Sequence, residues 1–200
     1  MKAKGSLLSY LFQPFRYFAG GWSLLAGVVF LLVLSVLSYF ASTIMDGVLD
    51  LHFVSLNNRI PFLPFLYCIF LSWLSAVAVF YLTARILSKS SVRLVDMAGT
   101  MALAKKPMLF GVLLGFIPSL HQMADFGTDI QLIMSYLQNN LLLILLMSFV
   151  SLLSIIWYII LMYNAYSVSG NLKGNKGIIS FIIVLFIAEI ISKLLIMILV

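Results

Sequence analysis

From Trp22 to Thr43 the chain carries no charged side chain, and most of its residues are apolar. A helix rises 1.5 Å per residue, so about twenty such residues cross the roughly 30 Å hydrocarbon core of a bilayer. Lipid offers backbone N–H and C=O groups no partner, so a crossing segment must satisfy them internally as a helix. Further mostly apolar runs occupy residues 61–87, 141–163 and 178–199, with a shorter one at 107–121. These runs restrict the chain to an all-α fold, an integral membrane bundle of five transmembrane helices. Composition agrees: 64% of residues are apolar and 9% charged, against roughly 45–50% and 25% in soluble domains. At 200 residues the chain is the size of one domain, and residues 1–200 are read as a single unit.

The span at 107–121 is the weak one. Pro107–Ile117 alone gives a helix of roughly 16 Å. It crosses only by continuing through a kink at Pro118, or by beginning upstream within Val92–Ala104. The first run is too long for the apolar part of a signal peptide and starts too far from Lys2 and Lys4, so it is read as a retained span. Before it, Leu7–Phe18 is aromatic-rich and interrupted by Pro14. Such a segment suits the membrane interface, with a frayed tail as the alternative.

Basic residues flanking spans set their orientation. With five spans and the N-terminus inside, the inner set is Lys2, Lys4, Arg16, Arg85, Lys89, Arg93, Lys105, Lys106, Lys173 and Lys176. Arg59 is then alone outside and Lys193 lies within a span. A re-entrant third segment would move Lys173 and Lys176 outward and weaken the asymmetry. The five-span reading is preferred, with the C-terminus outside.

The chemistry in the sequence is sparse. There is no Gly-rich phosphate loop, nucleophile elbow, zincin motif or zinc-type Cys/His spacing, so neither an enzyme, a metal nor a cofactor is expected. Cys68 is the one cysteine and cannot form an intrachain disulfide. The positive charges flank apolar segments, which points to anionic lipid rather than nucleic acid. His121, Asp125 and Asp129 would share one helical face, and a solvated loop surface is the expected use of that stretch. Glu189 and Lys193 are different. They sit one turn apart inside the fifth span, where ionised groups are costly and face protein or water. They form either a proton, ion or ligand site, or a structural pair with Lys193 snorkelling to the headgroups.

Small residues recur as Gly111 and Gly115, Ser72 and Ala76, and Ser148, Ser151 and Ser154. Small side chains let membrane helices approach closely, so helix packing is their expected use. Ser88–Lys106, with Arg93, Lys105 and Lys106, is read as a cytoplasmic segment. It either docks a partner or anionic lipid, or simply links two spans.

The order of these segments resembles the Yip family of five-span membrane proteins, named for binding Ypt/Rab GTPases. "LFQPFRYF" is similar to the Pro-aromatic entry of bacterial members. "SSVRLVDMAGTMALAKKPMLFGVLLGFIP" resembles their inner segment leading to a short third span that starts at Pro. "WYIILMYNAYSVSGNLKGNKGIISFIIV" resembles their Trp-led end of the fourth span and its loop. The resemblance implies a five-helix bundle, N-inside and C-outside, in a bacterial cytoplasmic membrane, with no catalytic residues. Eukaryotic members have a long cytosolic N-terminal region for partner binding. Here only about twenty residues precede the first span, so Rab binding is not carried over. The expected role is non-enzymatic, membrane-organising or partner-binding, with lipids, other membrane proteins or a second copy as partners. The alternative is a small transporter or channel using Glu189 and Lys193.

Overall fold

The computed structural model describes residues 7–17, 20–57, 60–126 and 129–199. Lys2, Lys4, Phe18 and Arg59 lie outside them. Among the described residues, five helical segments are long and apolar enough to cross a membrane. They are α2 (Gly21–Phe40), α3 (Phe62–Leu87), the pair α4 (Leu94–Ala104) and α5 (Met108–Leu114), α8 (Leu141–Ser169) and α9 (Gly174–Leu199). Shorter pieces are α1 (Leu7–Phe12), a 3-10 turn at Pro14–Arg16, another at Pro118–His121, α6 (Gln122–Asp125) and α7 (Ile130–Asn139).

Local chemistry sets the boundaries. Gly20 takes φ +88° before α2, a conformation open to glycine at little cost. The Ser23 hydroxyl then donates to its carbonyl at 2.7 Å. Pro61 precedes α3, where the proline's missing N–H costs nothing. The Asp129 carboxylate accepts from the N–H groups of Gln131 and Leu132 and so caps α7. Pro107 ends the continuous helix begun by α4, because it lacks an N–H and its ring clashes with the preceding turn.

The third span therefore differs from the 107–121 expected above: it is Leu94–Leu114, broken at Lys105–Pro107. The upstream start weighed as an alternative is the one adopted. Its polar-looking first half is the central helix of the bundle, touching α2, α3 and α8. Close approach explains its composition. A Cβ on Gly99 would lie 2.5 Å from Leu24 N, and one on Gly27 would lie 3.1 Å from the Gly99 carbonyl. The Trp73 indole N–H donates to the Ala98 carbonyl at 3.0 Å, tying α3 to α4.

Two sets of loops mark the two ends. At one end the α2–α3 connection forms a two-residue antiparallel pairing, Thr43 opposite Phe53 and Ile44 opposite His52. Asp125 accepts hydrogen bonds there from Ser55 and from Asn57 Nδ2. At the other end Asn171 Nδ2 donates to Ser90 at 3.3 Å and Lys176 to the Leu87 carbonyl at 2.9 Å. The α4–α5 segment runs from the second end to the first.

Near the second end Phe80, Tyr166 and Phe181 pack with ring centroids 5.1–6.2 Å apart. The Tyr166 hydroxyl and Ser180 share a 3.0 Å hydrogen bond there. The segment placed at the membrane interface docks on α8: Phe15 is buried, and the Trp157 indole donates to the Leu11 carbonyl at 3.1 Å. α9 packs chiefly on α3, whereas α8 leans on α4 and α5 and touches α9 little.

Candidate functional site

The α2–α3 connection does not stay at the end of the bundle. Met45 and Val48 are fully buried, so the loop between the paired residues dips inward. α9 holds it there. The Leu49 N–H donates to Glu189 Oε2 at 2.8 Å, and the Val48 N–H to Ser192 Oγ at 3.2 Å. Glu189 is fifteen residues beyond Gly174, or roughly 22 Å along the helix. A buried backbone N–H without an acceptor is costly, so the carboxylate fixes where this non-helical loop can lie. Gly47 makes room for it, since a Cβ there would collide with Glu189 Oε1.

Around this anchor the fold gathers five further ionisable groups. Lys193 Nζ donates to Asp50 and lies 4.0 Å from Glu189 Oε1. Glu189 and Lys193 are thus neighbours, as their spacing requires, but Lys193's closer partner is an aspartate 143 residues away. His52 Nε2 lies 3.2 Å from Asp46 Oδ1 and 3.3 Å from Asp50 Oδ1. Asp46 Oδ1 is shielded and makes no hydrogen bond, so its contact with His52 is one of proximity only. Asp46, Asp50 and His52 put three donor atoms within 4.8 Å of one another. That donor set suits a divalent ion, but the Lys193 ammonium already lies against one of the two carboxylates. Burial tends to raise the Asp50 pKa. The Lys193 hydrogen bond and the His52 and Lys193 charges outweigh it, holding this carboxyl below its usual 3.8.

Lys105 completes the cluster from below. Expected in a cytoplasmic docking segment, it is 1% exposed, and its Nζ has no hydrogen-bond partner. The ammonium lies 5.5 Å from the centroid of the Tyr158 ring, within cation–π range, and Glu189 is the opposite charge it feels. The cause is the break at Pro107: Lys105 follows α4 into the middle of the third span. Of the three docking candidates, Arg93 lies exposed beside the loops of the second end. Lys106 is also exposed, but it too belongs to the interior of a span.

The packing candidates divide similarly. Gly111 and Gly115 do permit close approach, to the α2–α3 connection rather than to another helix. A Cβ on Gly111 would lie 2.9 Å from Leu51 Cδ1, and one on Gly115 would lie 2.5 Å from the Ala41 carbonyl. Ser148 is exposed, Ser151 is half-buried, and only Ser154 of that series is buried. Ser72 and Ala76 are buried in α3.

His121 is not on a solvated face. It is 1% exposed, with Nδ1 2.6 Å from the Val54 carbonyl and Nε2 2.7 Å from that of Gly115. Asp125 and Asp129 go to separate loop and capping bonds, so the three do not meet.

Sequence reasoning missed Asp46, Asp50, His52, Lys105 and Tyr158 as members of one cluster. The available signal was the presence of two acids and a histidine within seven residues between two spans. Their contacts with α9 cross more than 130 positions and leave no periodicity. Chemically, the cluster is rich in opposite charges: three carboxylates face two ammonium groups, with the His52 imidazole beside Asp46 and Asp50. No family model, curated protein or solved structure matches this chain.

Proposed function

We propose that this multi-pass membrane protein acts without catalysis, as a membrane-organising or partner-binding component. The observation carrying this reading is the commitment of Glu189: its carboxylate accepts the Leu49 N–H and compensates Lys193. A conduit would need that group free to exchange protons or ions. Here the carboxylate is engaged in holding the loop.

The orientation proposed is N-terminus inside and C-terminus outside. With Lys105 and Lys106 assigned to the third span, Lys2, Lys4, Arg16, Arg85, Lys89, Arg93, Lys173 and Lys176 remain inside, against Arg59 outside. This keeps the likeness to bacterial Yip-type proteins, and a bacterial cytoplasmic membrane, as part of the proposal. The partner surface narrows to Ser88–Val95, because Met97–Lys105 is buried.

Reconstituted vesicles containing a pH- or cation-sensitive dye test the role. No flux is expected from the wild-type chain under an imposed gradient. Flux that disappears in a normally folded Glu189→Gln variant would establish the transporter reading instead.

A further inference from the structure

A cleft of about 550 Å³ lies between the interfacial segment and the second-end half of α8. Its two ends differ in chemistry. Lys173 and Asn171 belong to the α8–α9 turn and join Arg16 in a polar part, while Phe12, with Ile160 and Tyr163 farther back along α8, makes an apolar part. Neither Arg16 nor Lys173 makes an ion pair among the described residues, and Asp96 is the one acid on that side of the bundle. Two unpaired cations in one cleft repel each other and leave an anion-shaped deficit. α9 begins at the residue after Lys173, so the positive end of its dipole adds to the same field.

A second observation comes from Asn164, which also lines the cleft. Its Oδ1 is shielded from solvent and has no hydrogen-bond partner. In a side-chain amide the nitrogen donates, so Asn164 Nδ2 is the atom of this group suited to an acceptor in the cleft.

The polar and apolar ends stand in the order of a lipid in its leaflet. Ile160 is thirteen residues before Lys173 along α8 and its turn, so the apolar wall reaches inward from the headgroup level by more than 10 Å of helix. A free phosphate would use the cations and leave the wall of Phe12, Ile160 and Tyr163 idle. We infer that the cleft between the interfacial segment and α8 binds one anionic phospholipid of the inner leaflet. The phosphate lies between Arg16 and Lys173, and an acyl chain runs along Phe12 and Ile160. The site deepens the membrane-organising role proposed above and rests on it.

Native mass spectrometry of the full chain in detergent tests the assignment, with phosphatidylglycerol and phosphatidylcholine of the same acyl chains as probes. The wild-type chain should retain one phosphatidylglycerol and release phosphatidylcholine. Arg16→Gln with Lys173→Gln should weaken retention on the order of thirtyfold, the effect of losing two basic contacts. Arg16→Lys with Lys173→Arg should restore it. The control pair Arg85→Gln and Lys89→Gln removes the same charge elsewhere on that face and should leave retention unchanged. Equal loss in the control pair would reduce the effect to diffuse attraction and overturn the site. So would equal retention of phosphatidylcholine, or undiminished retention in the Arg16 and Lys173 double variant. Inorganic phosphate alone should not displace the lipid, and full displacement by it would reassign the cleft to free phosphate. Retention in detergent reads the cleft alone, whereas the Glu189 flux measurement reads the role, so either can fail without the other.

Discussion

The third span has a mean hydropathy of 1.2 and 78% of its most apolar stretch is buried, whereas α8 has 2.5 and 11%. In water the more apolar helix would be the inner one. In a bilayer the outer helix must be apolar on every side that meets lipid. The inner helix is freed from that requirement and uses Gly99, Thr100, Ala102 and Ala104 to approach its neighbours. Low hydropathy in this chain therefore marks the centre of the bundle, which is why the third span looked weakest in the sequence. The same relation lets Lys105 occupy the interior, beside Tyr158 and Glu189, whereas α8 from Leu141 to Ile156 carries no charge at all.

The comparison can be broken most decisively at Gly99. In Gly99→Val the new side chain meets the Ser23–Leu24 backbone, with nearest atoms at 2.5 and 2.7 Å. Backbone cannot step aside as a flexible side chain does, so a loss of about 3 kcal/mol is expected. It should appear as a depressed unfolding transition in detergent, and a wild-type transition would show that the α2–α4 crossing is loose.

Next in size is Glu189→Leu. It leaves the Leu49 N–H without an acceptor and should cost about 1–3 kcal/mol. Glu189→Gln keeps an acceptor and should cost much less. Equal losses in the two would mean that charge, not the hydrogen bond, holds the loop.

Lys105→Met comes third and has the opposite sign. Replacing a buried, unbonded ammonium by an apolar chain of similar length should raise stability by about 1 kcal/mol. Destabilisation would identify Lys105 as a required counter-charge for Glu189.

A pH titration gives a smaller effect. The Asp50 carboxyl is held below 3.8 in the folded chain. Its bond to Lys193 therefore contributes fully above that value and is lost as pH falls through the lowered one. Hydrogen exchange at Leu51, whose N–H donates to Asp50 Oδ1 at 3.1 Å, corrected for intrinsic rate, should accelerate only in that acid range. Exchange unchanged through that range would show that the Asp50 carboxylate does not hold the loop.

The smallest change is expected at the lipid-facing surface. Leu152→Ala, at a side chain 55% exposed, should shift stability by no more than about 0.5 kcal/mol. A large loss would mean that α8 packs against a partner there.

Four of the five spans were legible because lipid imposes a rule on each helix separately: about twenty apolar residues, without reference to any neighbour. Trp22–Thr43 became Gly21–Phe40, and 61–87 became Phe62–Leu87. The fourth and fifth were found but run longer, to Ser169 and from Gly174. The Glu189–Lys193 pair was legible too, because one helical turn joins them. What they hold was not. Asp50 and the Leu49 N–H reach them through a loop with no periodicity, and that loop lies where Gly47, Gly111 and Gly115 leave room for it.

By itself, then, the sequence determined the solvent, the helical class and the individual spans, because those follow from local length and polarity. Tertiary structure decided which helix is central, that Lys105 lies inside rather than in a loop, and that six distant ionisable groups share one site. Those outcomes depend on which surfaces meet, a property of pairs of segments that no single stretch of sequence carries.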